Sequence, residues 1–137
     1  MRRVLPVLLP FVFAVALMAG CSRQPHIGEW ETEIHAGSKS VIWGGNYVFL
    51  EGGYIQFVRI NIDKPRSTDS GTYRIDYSTD PTQIDIEWRN GKSEVGIIRF
   101  VGEEKSLMEI ELSTPGSNQR PTGFGRDTML LTKKVKK

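Results

Sequence analysis

The chain has 137 residues, 39% of them hydrophobic, with 18 basic and 16 acidic side chains and a single cysteine. This length suits one domain with its own core, and one cysteine excludes an internal disulfide scaffold. The formal charge of +2 vanishes if Arg2 and Arg3 leave with an export signal, so the composition excludes a charge-driven nucleic acid partner.

Residues 1–20 have the parts of such a signal: the two arginines, an apolar run over 4–17, and the small residues Ala19 and Gly20. The run is short for a membrane span of ~20 apolar residues, and Pro6 and Pro10 interrupt it. Leu17-Met18-Ala19-Gly20-Cys21 resembles a bacterial lipobox, in which the chain is cut before the cysteine and the thiol carries lipid, palmitate included. Met18 stands where Leu, Val or Ile is usual. Cys21 is therefore the expected lipidation site and the membrane the expected partner. Plain secretion and an uncleaved anchor are the alternatives. Ser22 is not the Asp that retains many lipoproteins at the inner membrane, so the expected location is the outer membrane, facing the periplasm or cell exterior. Residues 21–26 read as a polar tether and 27–137 as the domain.

Over 27–34, Trp30, Thr32 and Ile34 alternate with Glu29, Glu31 and Glu33, the period of a half-buried strand with a solvated acidic face. The piece 41–43 has no assigned state. Strands over 46–50 and 54–62 flank Gly52-Gly53, a pair suited to a hairpin because its positions need positive φ. Residues 63–71 read as a loop. The strand at 72–77 places Tyr73, Ile75 and Tyr77 on one face, and the strand at 83–88 does the same with Ile84, Ile86 and Trp88. Asn90-Gly91 is the strongest hairpin signal in the chain. Strands at 94–101 and 107–112 follow, then a Pro- and Gly-rich loop at 113–125, and a last strand at about 127–133. Eight sequential strands with one apolar face and no helix predict an all-β, closed, antiparallel up-and-down barrel, with a sandwich as the alternative. Closure removes exposed edges. The lysines at 133, 134, 136 and 137 read as a solvated tail, or else as a contact for anionic head groups.

Gly71-Thr72-Tyr73-Arg74-Ile75-Asp76 followed by Asp80-Pro81-Thr82-Gln83-Ile84-Asp85-Ile86, with Gly28-Glu29-Trp30 before and Arg120-Pro121-Thr122-Gly123-Phe124 after, resembles a lipocalin-like domain family of planctomycete-type bacterial lipoproteins. Thr82-Gln83 and Glu103-Glu104-Lys105 depart from its pattern. The resemblance implies a small eight-stranded lipocalin-like barrel and a family whose activity is generally unassigned. It also implies that Trp30 closes one barrel end beneath a cation from the last strand region, either Arg126 or Lys133.

No catalytic constellation emerges. His26 and His35 lack the spacing of a metal site or a triad, and the carboxylate pairs sit on expected outer faces. The chain therefore reads as no enzyme, with no cofactor and no metal. Two readings remain. In the first, a barrel mouth rimmed by Trp43, residues 63–71 and residues 113–125 binds a small apolar ligand against Trp43, Phe57, Tyr73, Tyr77, Trp88 and Phe100. In the second, the interior is filled and the rim loops meet an envelope protein or inhibit a protease.

Overall fold

The computed structural model describes residues 24–32, 44–60 and 65–136. The signal segment, Cys21, Trp43 and His35 lie outside them. Eight strands follow one another as β1 (Gly28–Thr32), β2 (Gly44–Leu50), β3 (Tyr54–Ile60), β4 (Ser67–Asp76), β5 (Thr82–Trp88), β6 (Ser93–Val101), β7 (Leu107–Leu112) and β8 (Met129–Lys133). Each pairs antiparallel with the next, and β8 pairs with β1 through Trp30↔Lys133, Glu31↔Thr132 and Thr32↔Leu131. The fold is thus a closed up-and-down barrel, as the alternation predicts. Among the described residues no helix is long and apolar enough to cross a membrane.

The inward residues follow the sequence period. Ile84 and Ile86 of β5, Met108 and Ile110 of β7, Ile98 of β6, Phe49 of β2, Ile55 of β3, Leu131 of β8 and Trp30 of β1 are fully buried and form one cluster. Side chains therefore fill the centre of the bore. Two glycines let the strands coil tightly enough to close around it. A Cβ on Gly71 would strike the backbone carbonyl of Glu87, and one on Gly96 would strike that of Glu111. Glycine at such points marks close backbone approach at a barrel bend.

The region at 63–71 is a correction, because β4 begins at Ser67. Ser67, Thr68, Asp69 and Ser70 look like turn formers, yet they pair with Arg59, Val58, Phe57 and Gln56 of β3. An Arg59–Asp69 ion pair of 3.3 Å adds to the ladder. The loop at 113–128 lacks regular structure but is fastened down. Arg120 donates to the carbonyls of Ile84 at 2.9 Å and Gly96 at 2.7 Å and to the Asp85 carboxylate at 2.5 Å. The Arg99 guanidinium lies 4.3 Å from the centre of the Phe124 ring, and the Gly125 N–H donates to Glu111 at 2.7 Å.

With an even strand number both termini lie at one end, here termed proximal, along with the β2–β3, β4–β5 and β6–β7 turns. The β5–β6 turn and the 113–128 loop lie at the opposite, distal end.

Candidate functional site

The proximal end is closed by the chain leading into β1. His26 is 2% exposed, although it was expected to end a spacer. His26 is thus packed into the proximal end of the barrel rather than standing in a solvated spacer. The Tyr73 hydroxyl donates to the Leu50 carbonyl at 3.0 Å, so His26 Nε2 donates to the Tyr73 oxygen at 2.9 Å. Nδ1 is then left to accept from the Tyr77 hydroxyl at 2.5 Å. This fixes a neutral tautomer by the donors around it. Burial, aided by the nearby Lys133 charge, lowers the His26 pKa to about 4. Burial raises that of Tyr73, and burial together with Tyr73 pushes Tyr77 up to about 12.

Trp30 lies beneath this clasp. Its Nε1 donates to the His26 carbonyl at 2.8 Å, and its ring packs 6.0 Å from that of Phe100. The cation over it is Lys133, whose Nζ is 5.3 Å from the ring centroid and donates to the Pro25 carbonyl at 3.0 Å. Arg126 does not fill that role: it is exposed in the turn before β8, whereas the β1–β8 register sets Lys133 directly opposite Trp30.

The five expected ligand contacts among the described residues therefore do not converge. Tyr73 and Tyr77 surround His26 beside a proximal hollow of about 200 Å³, and Phe100 backs Trp30. Phe57 and Trp88 alone reach the distal mouth, and Trp43 lies outside the described residues. Tyr77, expected inward on its strand, falls just past the end of β4 and is 45% exposed.

At the distal mouth, register brings inner-face residues of seven strands together. The Tyr47 and Phe57 rings are 4.6 Å apart. Trp88 Nε1 donates to the Glu94 carboxylate at 2.6 Å. Burial first, and the Glu94 charge second, raise the Tyr47 hydroxyl pKa. The Arg59–Asp69 pair faces the same space. Phe57, Trp88, Leu112 and Met129 pack on the core cluster but are only partly buried. The arrangement is an apolar shelf with one guanidinium and two carboxylates above it, suited to binding an apolar body with a polar end. It brings together no group of three metal-ligating side chains among the described residues.

Sequence reading missed Tyr47, Arg59, Asp69 and Glu94. The available signal was strand phase. Counting back by twos from Phe100 and Ile98 reaches Gly96 and Glu94, and counting forward from Ile55 and Phe57 reaches Arg59. No protein-family model matches the chain, and no curated protein or solved structure is similar to it.

Proposed function

We propose that the protein is an exported lipoprotein, anchored through Cys21 on the outer membrane, whose lipocalin-like barrel holds a small and largely apolar ligand at its distal mouth. The observation behind this reading is that the bore is filled at its centre while inner-face apolar surface at the distal mouth is only partly covered, as it is for Tyr73, Ile75 and Phe100 toward the other end. Inner-face apolar residues are fully buried at the centre, while Phe57, Trp88, Leu112 and Met129 at the distal end are left half-covered. Apolar surface on a concave inner face is where an apolar guest gains most. Arg59, paired with Asp69 at the rim, is the group placed to meet a polar end of that guest.

The anchor and the mouth fit together geometrically. Only Ser22 and Arg23 separate Cys21 from Gln24, a reach of about 10 Å at ~3.3–3.6 Å per residue. A lipid on Cys21 then holds the proximal end beside the membrane and turns the mouth away from it. Cys21→Ser is expected to abolish palmitate labelling and leave unprocessed precursor. Normal labelling of that variant would remove the anchor.

Native mass spectrometry of the purified protein, with saturation by the apolar fluorophore N-phenyl-1-naphthylamine, tests the ligand. Saturable micromolar binding is expected, reduced at least about tenfold by Met129→Lys, whose long stem keeps the packing while its charge enters the mouth. Binding that ignores Met129→Lys, or no binding at all, sinks the apolar-ligand reading.

A further inference from the structure

A second concavity lies on the outside of the barrel, across β3, β4 and β5, with a volume of about 420 Å³. Its cause is local. On β4 the small residues Ser70, Gly71 and Thr72 form a floor between longer side chains on β3 and beyond β5, and Gly71 has no room to become larger. Register arranges the walls in two parallel rows. Tyr54 stands opposite Thr72, which stands opposite Glu87. Gln56 stands opposite Ser70, whose carbonyl accepts from the Arg89 N–H at 2.9 Å.

The chemistry of these walls is uncommitted to the fold. Tyr54 presents its ring to solvent and is 60% exposed, with Leu50 beside it at 41%. The side chains of Gln56, Thr72, Glu87 and Arg89 line the groove and, among the described residues, make no hydrogen bond or ion pair with one another or with the rest of the fold. The groove thus offers the Tyr54 ring face, one carboxylate, one guanidinium, one amide and the hydroxyls of Ser70 and Thr72 in a single concavity.

We infer that this groove binds one sugar ring of a neutral glycan. A pyranose has an apolar C–H face and a rim of hydroxyls that each donate and accept. Tyr54 matches the face. Glu87 supplies acceptors, Arg89 supplies donors, and Gln56 and Thr72 supply both. The alternatives fit less well. An anion meets Glu87 and a cation meets Arg89, so the net charge of the walls is zero. A wholly apolar occupant strips water from the polar side chains of the lining without replacing their hydrogen bonds. The volume lies within the ~300–1,000 Å³ typical of small-molecule sites. This inference rests on the outer face; of the mouth residues named above only Trp88 also borders the groove.

The test is calorimetric titration of the full chain with maltose, cellobiose and N,N′-diacetylchitobiose in turn, paired with saturation-transfer NMR on the unsubstituted protein. At least one disaccharide is expected to bind saturably, with Kd on the order of 1 mM. Tyr54→Ala should weaken it at least about tenfold, and Tyr54→Phe, which keeps the ring face, by less than about threefold. Because Tyr54 is largely exposed, both variants should keep the parent melting temperature. The NMR experiment reads whether the sugar C–H protons, rather than its hydroxyl rim alone, lie against the protein even if a variant fails to fold. No saturable binding of any of the three, no transfer to the sugar C–H protons, or binding that Tyr54→Ala leaves unchanged overturns the inference.

Discussion

Trp30→Ala is expected to destabilise the domain by about 3–5 kcal/mol, the range for removing a fully buried large aromatic. Three losses combine. The ring is completely buried against Phe100 and the core cluster. Its Nε1 is the donor to the His26 carbonyl, and a buried carbonyl left without a donor adds ~1–3 kcal/mol. Lys133 also loses the ring face beneath it. Against a total of ~5–15 kcal/mol for an ordinary domain, and with no disulfide to offset the loss, a large unfolded fraction is expected at 37 °C. Urea unfolding followed by circular dichroism measures it. Trp88→Ala is the comparison, since Trp88 is only partly buried and sits at the distal rim; its cost should be clearly smaller. Equal costs for the two would contradict the assignment of Trp30 as the proximal plug. Trp30→Phe separates the contributions, because it keeps most of the burial and loses the Nε1 bond, at about 1 kcal/mol or somewhat more.

The reasons these features were or were not legible are specific to each residue. Where one strand face is apolar and the other charged, as in Gln83 to Trp88 or Leu107 to Leu112, period alone gives both the strand and its inward side, and the burial pattern follows it. Expecting eight such strands was enough to expect closure. The first four residues of β4 carry no such contrast. Ser67, Thr68, Asp69 and Ser70 are all polar, and what makes them a strand is the β3 ladder and the Arg59–Asp69 pair, which are tertiary rather than local. His26 is harder still. Beside Pro25 it reads as linker, and its partners lie 47 and 51 residues away. Arg126 and Lys133 were equally plausible cations for Trp30 until register decided between them. The distal site suffered from a different bias, since expecting aromatic lining directed attention to Tyr73 and Tyr77 and away from the inward charges of Arg59, Asp69 and Glu94.

The proximal clasp should make stability depend on pH in a defined window. In the unfolded chain histidine titrates near 6.5, whereas in the folded barrel His26 titrates at about 4. Between those values the unfolded state binds more protons than the folded one, so stability falls as pH drops from about 6.5 to about 4 and this contribution is constant below. The depression corresponds to at most roughly 3–4 kcal/mol at about 1.4 kcal/mol per unit. The groups facing the ring are Tyr73 and Tyr77, both held neutral well above this window, and the Lys133 ammonium, whose charge lowers the His26 pKa; neither tyrosine titrates between pH 4 and 6.5. Carboxylates act lower. Desolvation opposes the Asp85 charge, but Arg120 and Arg74 outweigh it and keep the pKa below the ordinary value. Asp76 is held low by the side chain and N–H of Ser78. Their losses therefore come below pH 4. His26→Gln keeps a donor and an acceptor at this position and removes the titration. Urea midpoints measured at pH 7 and pH 4.5 should differ strongly in the parent and little in His26→Gln. An equal drop in both would place the acid sensitivity elsewhere and leave the clasp insensitive to protonation.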